Sequence, residues 1–368
     1  MHQLIILGNG FDLTCGLKSK FSDFYRNRMN AACSIESIPK DERNVWDVIL
    51  SEIGENDPLW RNIESLISAY VFHDDDLGSR LDHMYEQLVW TIDPSKPNRS
   101  EHPDNAVYNY VSTSLGKENV SQDELTHFLL TSLKDYEHIF ASYLEKQVDN
   151  NNKYREKAVE YYAAIRNACI NKAQQKNYET SILNFNYTTP LKSEDQQLGI
   201  VAARNIHGSL DKTDTIFGID GKDVAEDHPA VPFTKTYRLM SLVPYESETA
   251  KLCDSNTRFI KIFGHSLSRA DYSYFQSIFD TVNLYGGVTK LVFLYKKYPN
   301  KSDKTVDEQA IREDLYSRIS HFLYEYGSTL DNKDHGKNLM HKLLLEQRLL
   351  IKDVDENISV LPSNIYLL

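Results

Sequence analysis

No run of about eighteen apolar residues, the length a membrane-spanning helix requires, occurs anywhere in this chain of 368 residues. Its beginning also lacks the basic region and extended apolar segment of an export signal, because residues 4–7 are too few for one. A cytoplasmic location with no membrane partner is expected. Cysteine is scarce too: Cys15, Cys33, Cys169 and Cys253 are scattered without a C-x-x-C pair, so neither a zinc knuckle nor a disulfide framework is supported. Positive charge is in deficit, with 41 Lys and Arg against 53 Asp and Glu, a net charge of −12 and a pI near 5.5. Binding to nucleic acid needs a basic stripe that displaces phosphate counterions, so a general nucleic-acid partner is disfavoured. The acidic run Asp74, Asp75, Asp76 belongs on a solvated loop, since adjacent carboxylates point in different directions, and no metal is expected. What remains, at 41% hydrophobic residues, is enough for one large core or two modest ones.

The most informative stretch is at the start. Leu4, Ile5, Ile6 and Leu7 make a short continuous apolar run suited to a buried parallel strand, and it stops on Gly8, Asn9 and Gly10. Glycines there allow positive φ and close backbone approach, while the amides of a following helix favour an anion such as a pyrophosphate. Gly8, Asn9, Gly10, Phe11 and Asp12 are therefore candidates to hold a nucleotide. Leu13 occupies the place of the third glycine of G-x-G-x-x-G, so a tight turn without a ligand explains the same residues.

Residues 40–175 read as helical almost throughout. Leu59, Ile63, Leu66, Ile67 and Tyr70 recur at helical spacing, as do Leu81, Met84, Tyr85 and Leu88. Residues 92–120 are polar and punctuated by Pro94, Pro97 and Pro103, which predicts a long loop able to act as a lid. Ser121 and Glu124 form a capping box for a long helix, and another is expected near 153–175. From Glu179 the period shortens. Residues 180–185, 201–206, 215–219, 258–263 and 290–295 read as strands, with helices at 271–285 and 305–326 between the later ones. Such alternation predicts an α/β fold with a mostly parallel sheet that includes residues 4–7. The expected division is a nucleotide-binding sheet domain of residues 1–35 and 176–368, and a helical insertion of residues 36–175.

Polar clusters follow three of these strands: Asn184 to Thr189, then His207, Gly208 and Ser209, then Gly264, His265 and Ser266 with Asp271 beyond. In a parallel sheet the groups past the strand ends converge on one crevice, together with residues 8–12. Each cluster alone also reads as ordinary turn residues.

The blocks LGNGFDLTCGLKSKFSDF, LNFNYT, IHGSL, IFGID and GHSLSRAD, with Trp60 and Glu64, resemble in order the AbiH abortive-infection family of bacterial phage-defence proteins. They are distantly similar to sirtuin-like NAD-processing domains, which implies a Rossmann-like fold with NAD as substrate or ligand. The sirtuin glycine turn is echoed by Gly8, Asn9 and Gly10, its Q-N-x-D strand end by Asn186, its catalytic H-G by His207 and Gly208, and its G-T-S-L by Gly264, His265, Ser266 and Leu267. Thr188 stands where an acidic residue is usual, and no zinc module is present. On this reading Asn186 orients a water, His207 manages a proton, and Asp12 and Asp271 bind ribose hydroxyls while nicotinamide is cleaved from ribose. A phage-derived trigger or a second copy of the chain is the expected partner. The rival reading is a nucleotide-sensing module that signals to an effector without catalysis.

Overall fold

The computed structural model describes residues 1–29, 34–53, 62–71, 105–118, 120–191, 198–212, 214–222, 224–240, 251–299, 305–331 and 336–358. The expected helix over residues 77–89, and Cys33, Trp60 and Asp74 to Asp76, lie outside them. Six strands are β1 His2–Leu7, β2 Glu179–Asn184, β3 Ile200–Asn205, β4 Thr257–Phe263, β5 Lys290–Tyr295 and β6 Leu349–Asp353. The α-helices are α1 Asn9–Thr14, α2 Phe21–Arg28, α3 Val45–Ile53, α4 Ile63–Val71, α5 Asn105–Leu115, α6 Gln122–Asp149, α7 Tyr154–Asn167, α8 Lys235–Met240, α9 Tyr272–Thr281, α10 Glu308–Gly327, α11 Leu339–Leu345 and α12 Asp355–Ile358.

The strands form one sheet in the order β3-β2-β1-β4-β5-β6, and every neighbouring pair is parallel. This is a doubly wound arrangement in which the chain reverses direction across the sheet between β1 and β4. Side chains alternate across a strand, so Ile5 and Leu7 enter one apolar layer with Phe11, Tyr161, Tyr162 and Ile165, while Leu4 and Ile6 enter the other with Phe275, Phe279 and Phe322. Burial on both faces explains why residues 4–7 read as an unbroken apolar run.

The chain divides into two compact units. The sheet unit comprises Met1–Leu17, Val148–Asp211 and Glu246–Leu368, and the helical unit Lys18–Gln147 and Lys212–Tyr245. These bounds differ from the expected ones at three places. Residues 148–175 go with the sheet because α7 buries Tyr154, Ala158, Tyr161, Tyr162 and Ile165 in its apolar layer. Residues 18–35 and 212–245 go with the helices, where Phe21, Phe24, Tyr136, Phe140 and Phe217 make one aromatic cluster.

Two element expectations need correction. The described part of the loop expected over 92–120 contains α5, which follows the last proline and buries Val107 and Val111 at helical spacing. Residues 215–219 contribute one bridge, Ile219 to Thr234, and no strand of the sheet. There the Phe217 N–H donates to Glu137 Oε1 at 2.6 Å and its carbonyl accepts from Arg238 Nη1 at 2.9 Å, so buried side chains satisfy the backbone where a neighbouring strand would. The Ser121 and Glu124 capping box forms, with Ser121 N–H donating to Glu124 Oε2 at 3.0 Å and Glu124 N–H to Ser121 Oγ at 3.3 Å.

Candidate functional site

The candidate residues all belong to the sheet unit and follow the C-terminal ends of β1 to β4. At the reversal point the loops after β1 and β4 touch. Gly8 N–H donates to Phe263 O at 3.0 Å, Gly10 N–H to Gly264 O at 2.8 Å, and Phe11 N–H back to Gly8 O at 2.8 Å. A Cβ on Gly10 would lie 2.5 Å from Gly264 Cα, and one on Gly264, whose φ is +72°, would lie 2.4 Å from Phe11 N. Only glycine lets two main chains approach this closely. The Phe11 ring is fully buried and meets Phe263 edge-on at 6.4 Å, so it belongs to the core, whereas Asn9 and Ser266 are exposed.

Past β2, the loop at residues 185–188 is held by two strand-terminal asparagines. Asn184 Oδ1 accepts from Asn186 N–H at 3.1 Å, and Asn184 Nδ2 donates to Thr188 O at 2.7 Å. Asn205 Nδ2 donates to Asn186 O at 2.9 Å and to Thr188 O at 3.0 Å. Asn186 is thereby turned so that its Nδ2 donates to Gly8 O at 3.1 Å. Its Oδ1 is buried and, among the described residues, has no hydrogen-bond partner. A buried acceptor left so costs about 1–3 kcal/mol.

His207, His265 and Asp271 converge from the ends of β3 and β4 and are all buried. His207 Nε2 lies 3.1 Å from Asp271 Oδ1, and His265 Nε2 lies 3.3 Å from Asp271 Oδ2. Leu267 N–H donates to His265 Nδ1 at 3.0 Å, which assigns the proton of the neutral ring to Nε2, facing the carboxylate. Leu267 holds φ at +59° to make this bond, a conformation rare for leucine. Phe185 meets His207 edge-on at 5.4 Å and His265 at 4.5 Å, and stacks on Phe275 at 5.5 Å, so the apolar layer fixes both imidazoles. Half-buried Tyr187 and Tyr274 stand 6.4 and 6.1 Å from the His207 ring.

Asp12 makes a second constellation beside the first. Both of its oxygens are engaged: Tyr154 Oη donates to Oδ1 and Thr188 Oγ1 donates to Oδ2, each at 2.8 Å, while the two hydroxyl oxygens stand 2.9 Å apart. Burial raises its pKa to about 6, against the pull of the two hydroxyls. Protonated at Oδ1, the carboxyl donates to Tyr154 Oη, which turns the Tyr154 proton to Thr188 Oγ1 and leaves each of the three contacts with one proton. The structure thus ties Asp12 to α7 and the β2 loop. Glu64, also singled out in the sequence, lies in the helical unit, 2.6 Å from Lys235 Nζ.

Asn184 and Phe185 fell within the cluster singled out after β2, though without a role of their own, whereas Asn205 and Tyr154 went unrecognised as supports of the site. An asparagine at the end of β3 is the one signal that pointed to Asn205.

The sheet order defines a doubly wound α/β protein, and the candidate residues gather past its strand ends at the carboxyl edge. The family described as Bacteriophage abortive infection AbiH matches residues 4–293, and the chain belongs to that family. The match runs from β1 into β5 and takes in every candidate residue, and it implies a part in anti-phage abortive infection. Among proteins of curated function none matches the chain.

Proposed function

We propose that this AbiH protein acts in abortive infection through a sirtuin-like nucleotide site that binds NAD and, once triggered, hydrolyses its nicotinamide–ribose bond. The observation that carries the reading is the open Oδ1 of Asn186, a buried acceptor beside the paired His207 and Asp271. With Nδ2 donating to Gly8 O, the amide is held with Oδ1 as its open acceptor, and a water or ribose hydroxyl is the donor it would orient. The C1′–N bond breaks with its electron pair passing to the pyridinium nitrogen, so nicotinamide leaves neutral and the ribose carries developing positive charge. Water forms the new C1′–O bond and yields its proton to His207. Asp271 holds that imidazole in orientation and stabilises its protonated form, as a carboxylate does for a catalytic histidine.

The test is release of free nicotinamide from NAD by purified protein, with and without lysate of phage-infected cells as trigger. Asn186→Ala and His207→Ala should each lower the rate by about a hundredfold to ten-thousandfold while leaving the fold intact. If triggered wild-type protein leaves NAD whole, hydrolysis is refuted, and binding of NAD without turnover would leave the sensing module.

A further inference from the structure

The amides that a glycine loop usually offers to a pyrophosphate are not open here. Gly8, Gly10 and Phe11 N–H groups each donate to a main-chain carbonyl, two of them across the β1 to β4 junction where a dinucleotide would lie. The helix that follows is only six residues long and carries Asp12 in its first turn, which opposes an anion. Two lysines that follow β5 are engaged as well: Lys296 lies 3.2 Å from Asp355, and Lys297 lies 2.9 Å from Glu308 and 3.2 Å from Asp353. Arg318, 3.4 Å from Ser266 O, pairs with Asp314 at 2.7 Å.

The neighbouring groups have the opposite chemistry. Asn186 Oδ1 is an open acceptor, Asp271 is a carboxylate, and Phe185, Tyr187 and Tyr274 surround His207 with aromatic rings. Aromatic faces and a carboxylate attract a flat cation, and an open amide oxygen takes a hydroxyl or carboxamide proton. Resting on the proposed nicotinamide–ribose reading, we infer that the site recognises a pyridinium N-riboside by its base and ribose alone. Nicotinamide riboside and nicotinamide mononucleotide are then ligands as good as the dinucleotide.

Calorimetric titration of the full chain with nicotinamide riboside, nicotinamide mononucleotide, NAD and ADP-ribose tests this without requiring turnover. The first three should bind with dissociation constants within about tenfold of one another, and ADP-ribose, which lacks the base, at least about a hundredfold more weakly. Asn186→Ala should abolish riboside binding. Should that variant fail to fold, Tyr274→Ala, which removes one aromatic face, should weaken the riboside by about tenfold. ADP-ribose binding as tightly as NAD, with the riboside inert, would overturn the inference and leave the NAD reading standing. Riboside binding untouched in Asn186→Ala and Tyr274→Ala would also overturn it, by placing the ligand elsewhere. If none of the four binds, the parent reading fails and the inference with it.

Discussion

Tyr154, the first residue of α7, donates its hydroxyl to Asp12 Oδ1 across 2.8 Å although 142 positions separate the two in the chain. Thr188 closes the group from the β2 loop, so one buried carboxyl joins three segments around the candidate site. Its burial also gives Asp12 a measurable signature.

Burial first, against the pull of the Tyr154 and Thr188 hydrogen bonds, raises the Asp12 pKa from 3.8 to about 6. A carboxyl raised on folding contributes stability that is fully present below its unfolded pKa and lost as pH climbs through its folded one. Between pH 4 and pH 7 the wild type should therefore lose about 2 kcal/mol relative to Asp12→Asn, as read from urea unfolding at each pH. A constant difference between the two proteins across that range would show that Asp12 titrates normally.

Asp271→Asn should keep the shape of the site while removing the charge beside His207. On the proposed chemistry kcat falls by about a hundredfold or more, and KM rises by no more than about tenfold, the carboxylate's share in holding the cation. A variant that loses only affinity would place Asp271 in ligand binding.

Gly264→Ala combines a positive φ with a Cβ 2.4 Å from Phe11 N, and should cost at least about 2 kcal/mol in urea unfolding. Gly116, with φ +63° but open space around its Cβ position, serves as the control, and Gly116→Ala should cost only about 1 kcal/mol. Equal losses would mean that dihedral strain alone matters and the contact between the loops does not.

In the helical unit, Arg238 makes a two-pronged pair with Glu137, and both side chains are buried. Arg238→Met alone leaves a buried carboxylate unpaired and should destabilise by about 3–5 kcal/mol, while Glu137→Leu added to it should recover much of that loss. A double variant no more stable than the single one would point to the backbone of Phe217, whose N–H Glu137 serves and whose carbonyl Arg238 serves, as the part that matters.

The central strands were legible because burial on both faces leaves apolar runs that few other structures require. β6, at the edge of the sheet, was not. Its residues Leu349 to Lys352 are partly exposed and follow directly on the helical pattern of α11, so nothing in the period separates the two. Residues 215–219 misled in the opposite way: their β-branched and aromatic composition suits a strand, yet Glu137 and Arg238, remote in sequence, supply the hydrogen bonds. The strand-end polar groups were legible through topology, since parallel strands bring their ends together. The roles of Tyr154 and Asn205 were not, because their meaning lies in partners that only the folded chain brings near. The glycines were found for a reason the structure changes, as two main chains in contact demand them as strictly as a ligand would.

β1 occupies the middle of the sheet, and its hydrogen-bonded neighbours lie far downstream. Gln3 meets Thr180 177 positions later, and His2 meets Thr257 after 255. During synthesis, at about 5–20 residues per second, the first strand waits on the order of ten seconds or more for one partner and longer for the other. Throughout that interval four consecutive apolar residues have neither of the strands that will cover their edges. Newly made protein therefore passes through a window of vulnerability to aggregation set by chain order, and a cell raising the level of this protein would meet that window before any finished site exists.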